Sequence, residues 1–151
     1  MIVAVCALIA AILLVDQFSK FLILKYLGLN ATYVVIKGIF SITPTLNTGG
    51  GFGILPDLTF LFILISILTI IFIIYTLLSR KLKGKIFVYS ISMILAGALG
   101  NLVDRLRLGA VIDFIDFKVW PVFNIADSSI TIGVIVLAWQ LLKFRHCERT
   151  K

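Results

Sequence analysis

The stretch LTFLFILISILTIIFIIYTLL, Leu58 to Leu78, runs for 21 residues without a charge. A helix that is apolar on every face is either buried in a large core or crosses a membrane. A chain of 151 residues has no core large enough to surround it. Its length also matches the ~20 residues needed to cross the hydrocarbon layer. The whole composition agrees. The chain is 61% hydrophobic and only 14% charged, where a soluble domain carries roughly 25% charged residues.

Three more segments have spanning length: about Ile2 to Phe21, Ile86 to Leu106 and Val122 to Leu142. The chain therefore reads as an all-α membrane protein, a single domain over residues 1–151 with four transmembrane helices. The N-terminal run lacks a basic stretch before it and a small-x-small cleavage site after it. It reads as a retained span, not a cleaved signal. Cys6 and Cys147 form no metal-ligand spacing with the single histidine, His146, so neither a zinc site nor a disulfide framework is expected.

Lysines and arginines orient the spans. The link between spans two and three holds Arg80, Lys81, Lys83 and Lys85 with no acid; the C-terminal tail adds Lys143, Arg145, Arg149 and Lys151. Both segments fall on one side, which is expected to be cytoplasmic together with both termini. That side carries all of the net +7; the other carries six basic and six acidic residues. The basic residues decorate helix ends and form no continuous face, so nucleic acid is not an expected partner.

Polar residues inside the spans gather at one end. Asp16, Gln17, Ser19 and Lys20 close span one, Asn101, Asp104 and Arg105 close span three, and Asn124 and Asp127 open span four. Ionisable groups in a membrane are costly and point to function. On the same side, Thr32 to Thr43 (TYVVIKGIFSIT) is rich in β-branched and aromatic residues and reads as one or two short strands. Its apolar character suits a segment lying on the membrane surface or covering something. A small β-rich extracytoplasmic loop region is therefore expected.

Each constellation has two readings. Asp16 and Lys20 share a helix face; they are either snorkelling end residues or a buried pair. In Asn47 to Gly53 (NTGGGFG), the glycines give a flexible turn or allow close backbone approach to a ligand. No Lys-Ser/Thr follows, which disfavours a phosphate loop. Asn101, Asp104 and Arg105 share one face, as a structural knot or as a substrate-holding surface.

The segment VIDFIDFKVWPVFNIADS, Val111 to Ser128, holds Asp113, Asp116 and Asp127. Pro121 and the β-prone residues before it argue against one continuous helix. Asp113 is expected to hang from the loop after span three and Asp127 to lie in the first turns of span four, facing each other. With span four starting near Val122, a capping role for Asp127 fits poorly; Asp116 is a rival partner. Two carboxylates in a low dielectric share a proton and can activate water against an amide. No Ser-His or Cys-His pair exists on that side.

These residues resemble lipoprotein signal peptidase, the signal peptidase II family of membrane aspartic proteases. The matching pieces are DQFSK at 16–20, NTGGGF at 47–52, GALGNLVDR at 97–105, VIDFIDF at 111–117 and FNIADSSI at 123–130. The resemblance implies removal of the signal peptide from a bacterial prolipoprotein, just before a cysteine that already carries diacylglycerol. It implies Asp113 and Asp127 as the catalytic dyad, with Asp16, Lys20, Asn47, Asn101, Asp104, Arg105 and Asn124 in support, and no cofactor or metal. Membrane lipid, inhibition by cyclic peptides such as globomycin, a monomeric state and the bacterial cytoplasmic membrane are implied as well. One departure is Gly51, where the family usually has alanine. The competing reading is a small four-span proton-coupled transporter subunit, which expects its key acid near the midplane. A structural assembly protein held by glycine contacts is a third reading, but it leaves the polar ends unexplained.

Overall fold

The computed structural model describes residues 1–50, 55–79 and 84–149, with side chains to residue 143. Four helices carry the fold: α1 (Ile2–Tyr26), α2 (Thr59–Leu78), α3 (Lys85–Leu108) and α4 (Ile125–Arg149). All four are long and apolar enough to cross a membrane, with mean hydropathy highest, 2.9, in α2. Large apolar side chains such as Val3, Phe60 and Phe72 project outward from α1 and α2. An aqueous fold would bury them; a hydrocarbon solvent accepts them.

Helix α3 is the hub. It packs against α4, α1 and α2, and α2 leans chiefly on it. Small residues make this possible. A Cβ placed on Gly97 would lie 2.3 Å from the carbonyl oxygen of Ala126 in α4, and one on Gly133 would lie 2.7 Å from that of Ser90. With little hydrophobic drive between helices in lipid, such close backbone approach supplies the attraction. Ile70, Ile73, Ile91, Leu95 and Ala98 form the apolar core between α2 and α3.

A three-stranded antiparallel sheet caps one end of the bundle, in the order β1 (Tyr33–Ile36), β2 (Phe40–Asn47), β3 (Val111–Asp116). The Thr32–Thr43 segment thus supplies β1 and half of β2. The β2–β3 register shifts between Ile42 and Thr45. Pro44 sits in that irregularity, where a residue without an N–H does least harm to the ladder. Beyond it Thr45 stands opposite Asp113 and Asn47 opposite Val111.

Several boundaries differ from expectation. Helix α1 continues past Phe21 to Tyr26. Helix α3 runs to Leu108, and Gly109 stops it at φ 70°, a left-handed turn that glycine adopts without strain. Asp113 lies in a strand, not a loop. Span four starts at Ile125 rather than near Val122 because its approach is held elsewhere. Phe123 exchanges backbone hydrogen bonds with Ile115 at 2.8 and 3.1 Å, and its ring stacks on Phe117, 6.1 Å away between centroids. The segment Ile125–Lys143 is still long enough to span.

Candidate active site

Asn124 and Asp127 cap α4 reciprocally. The Asp127 N–H donates to Asn124 Oδ1 at 2.8 Å, and the Asn124 N–H donates to Asp127 Oδ2 at 3.3 Å. This is a capping box built from Asn and Asp, so the expectation that Asp127 plays no capping part is corrected. The later helix start makes room for it. The other oxygen of Asp127 faces Asn101, whose amide donates to it at 2.7 Å.

Asn124 also reaches Asp113. Its Nδ2 donates to Asp113 Oδ1 at 2.7 Å, to Asn101 Oδ1 at 3.1 Å and to the Ile112 carbonyl at 3.3 Å. Asn47, at the end of β2, donates to Asp113 Oδ2 at 3.0 Å. Two asparagines, Asn124 and Asn101, therefore join the two carboxylates into one hydrogen-bonded chain. Asp113 is only 3% exposed. Burial, and next the neighbouring charge of Asp127, push its carboxyl up to about 7 against the donors that favour ionisation.

Behind this chain lies an ion network. Lys20 is 2% exposed, so it does not snorkel. Its Nζ lies 2.8 Å from Asp16 Oδ2 and 2.7 Å from Asp104 Oδ2, with Asn101 Oδ1 at 3.4 Å. Asp16 turns its other oxygen to the N–H of Ala126 at 2.9 Å, and Asp104 accepts the N–H of Ile112 at 3.2 Å. One buried cation thus ties α1 and α3 to the first turn of α4 and the start of β3. Removing one partner from such a group costs about 3–5 kcal/mol.

Asp113, Asp127, Asn101, Arg105 and Asn47 line one cavity of about 660 Å³, whose apolar walls come from α2 and α4. Arg105 closes one side. Its Nη2 donates to the carbonyl of Gly49 at 3.0 Å, and its guanidinium lies 5.4 Å from the centre of the Phe62 ring. Its buried Nε has no hydrogen-bond partner among the described residues. Asn47 fastens the same loop, accepting the Gly49 N–H at 3.0 Å and donating to the Gly50 carbonyl at 3.2 Å. Among the described residues no group of three His, Cys, Asp or Glu side chains is placed to hold a metal ion.

The profile of the family described as "Signal peptidase (SPase) II" matches residues 8–143. The chain belongs to the signal peptidase II family. It is 43% identical over 136 residues to the lipoprotein signal peptidase of Caldanaerobacter subterraneus subsp. tengcongensis, a match that covers 89% of this chain and 93% of the relative. It is 40% identical to the lipoprotein signal peptidase of Halothermothrix orenii, over 85% of this chain and 90% of that one. A bacterial membrane enzyme solved by the in meso method at 2.3 Å resolution superposes with a TM-score of 0.89 at 35% identity, covering 95% of this chain and 90% of that one. Members of this family are aspartic peptidases.

For a signal peptidase II the carboxylate census is informative. Among the described residues, the four carboxylates of Asp16, Asp104, Asp113 and Asp127 gather around two cations, Lys20 and Arg105. All nine residues singled out from the sequence belong to this connected group. Asp116, the rival, turns away to Lys118 Nζ at 2.5 Å and Thr43 at 3.0 Å, and Lys118 holds its carboxyl below the usual range.

Two contributors were not foreseen. Gln17 donates to Asp104 Oδ1 at 2.9 Å, to Asp16 Oδ2 at 3.1 Å and to the Gly100 carbonyl at 3.2 Å; its signal was an amide inside a span beside Asp16. Phe62 lies under Arg105 and would collide with a Cβ on Gly50, 2.5 Å away; nothing marks it among the other apolar residues of α2. Gly51 and the rest of 51–54 lie outside the described residues, so the departure at Gly51 has no structural account.

Proposed function

We propose that the chain removes the signal peptide from diacylglyceryl-modified prolipoproteins, cutting just before the lipidated cysteine, with Asp113 and Asp127 as its catalytic pair. The observation that carries this reading is the placement of both carboxylates on one cavity, joined through Asn124 and Asn101. One carboxyl keeps its proton. The other takes a proton from water as the water oxygen bonds to the scissile carbonyl carbon. The protonated acid donates to the carbonyl oxygen, and the collapse of the tetrahedral intermediate sends a proton to the leaving amine. Asn124 and Asn101 hold the pair in place, and Arg105 Nε offers a donor to a substrate carbonyl or lipid ester.

The cavity walls suggest where the substrate lies. Phe62, Ile65 and Thr69 of α2 face Ile130 and Thr131 of α4 across it, while α2 packs chiefly on α3. A signal-peptide helix fits between α2 and α4 with its cleavage site beside the sheet. Cyclic peptides such as globomycin would fill the same cavity. The lysine and arginine bias supports both termini in the cytoplasm and a site facing outward from the bacterial inner membrane. Membrane lipid surrounds the chain, and a monomer is enough to complete the site. Nothing favours a proton-coupled transporter, since both acids lie at one end of the bundle.

The test is cleavage of a diacylglyceryl-modified prolipoprotein by the purified chain, with Asp113→Asn and Asp127→Asn variants. Each substitution removes a proton acceptor, so each is expected to lower kcat by about 10²–10⁴-fold. Near-normal turnover by either folded variant removes that residue from the pair.

A further inference from the structure

A second pocket, of about 320 Å³, opens between the sheet-side ends of α1 and α3 and shares no lining residue with the cavity of the two aspartates. We propose that it holds the phosphate headgroup of an anionic membrane phospholipid.

The inner wall of the pocket contains Lys20, Asp104 and Gln17, and these satisfy one another within the ion network described above. The outer wall contains Lys25 and Arg107. Both are exposed, and neither makes an ion pair among the described residues. Lys25 instead rests on rings, 5.8 Å from the centre of Phe21 and 5.4 Å from that of Tyr26. Two positive charges from different helices, without an ion-pair partner among the described residues, thus meet at one recess.

The depth and shape fit a lipid. Lys25 lies in the last turn of α1 and Arg107 in the last turn of α3, where helices of spanning length reach the headgroup layer. Between them Phe21, Leu24 and Leu108 supply apolar surface, and Phe21 and Leu108 remain about half exposed. A guanidinium fork and an ammonium suit phosphate oxygens, and the apolar rim suits the glycerol backbone and first acyl carbons. Last-turn cations do complement helix dipoles. That accounts for each charge singly, but not for a walled recess that gathers one from each helix.

The experiment uses the full chain in nanodiscs of phosphatidylcholine carrying increasing fractions of phosphatidylglycerol, with the thermal unfolding midpoint as readout. The midpoint is expected to rise saturably with phosphatidylglycerol. Lys25→Gln and Arg107→Gln should each raise the half-saturating fraction about fivefold, the effect of one interfacial cation. Lys25→Arg should keep the response, and so should Lys37→Gln on the exposed β1–β2 turn. An unchanged response in the Lys25→Gln/Arg107→Gln double variant overturns the site. Equal stabilisation by inorganic phosphate in pure phosphatidylcholine discs overturns the lipid as its occupant.

Discussion

Asp127 caps a helix and faces the cavity with the same carboxyl group, and Asn124 touches both aspartates while serving as the other half of that cap. The two roles are separable. Asn124→Ser keeps an acceptor for the Asp127 N–H, whereas Asn124→Ala removes it; neither can reach Asp113. Both variants should lose activity alike, by about 10²-fold, while their unfolding free energies differ by about 1 kcal/mol, the worth of a cap. Activity restored in the serine variant would make the cap, not the contact with Asp113, the important role. Asp113 gives a second handle. Its carboxyl is pushed from 3.8 to about 7 by burial and by Asp127, so the folded chain holds that proton more tightly than the unfolded chain. Stability from this group is full below about pH 4, falls as pH rises toward about 7, and stays low above it, with a total span of about 4 kcal/mol. Asp113→Asn should flatten this part of the stability–pH curve, measured by denaturant unfolding between pH 4 and 8. Parallel curves for the two proteins would refute it. On the alkaline side, above about 7, loss of the shared proton should also lower peptidase activity.

At the scale of elements, the site depends on how closely α4 approaches α3. Gly97 faces the Ala126 carbonyl and Ile130, in the turns that carry Asp127. Gly133 lies further along the same contact, against Ser90 and Ile94. Adding a methyl group at either site forces the helices apart and should cost about 1–3 kcal/mol. The outcomes for activity should differ. Gly97→Ala displaces Asp127 relative to Asn101 and should lower activity per folded molecule, while Gly133→Ala should lower thermal stability and leave that activity nearly intact. Equal activity losses would mean that the whole contact, not its sheet-side end, positions the acid. The strands and spans could be read in the sequence because β-branched runs and uninterrupted apolar runs have local causes. The start of α4 could not. Val122 and Phe123 look like the continuation of an apolar helix, and only the pairing of Phe123 with Ile115, a tertiary contact, withholds them. A start near Val122 leaves no capping role for Asp127, and the later start gives it one, paired with Asn124 three residues before it.

For the whole molecule, a membrane makes sequence order nearly one-dimensional. Four spans alternate in direction, so polar residues late in the first and third and early in the fourth must share an end. That is why Asp16, Lys20, Asn101, Asp104, Arg105, Asn124 and Asp127 can be grouped from the sequence, whereas Asn47 and Asp113, which lie on strands between the spans, cannot be placed by alternation alone. The bonds within the site cannot be read that way either, because Asp16 reaches the N–H of Ala126 across 110 positions, and no local pattern encodes such a partner. The same alternation leaves one thing for experiment, which is the side of the membrane that the sheet faces. By the positive-inside rule, the basic link and tail and the balanced charge of the sheet-side segments predict a sheet that faces outward. In a Cys6→Ser background, a membrane-impermeant maleimide added to intact spheroplasts should label Lys37→Cys on the β1–β2 turn and spare Cys147 in the C-terminal tail. Permeabilised cells should label both. The opposite pattern would invert the chain, put the two aspartates on the cytoplasmic face and remove prolipoproteins exposed on the outer surface as their substrates.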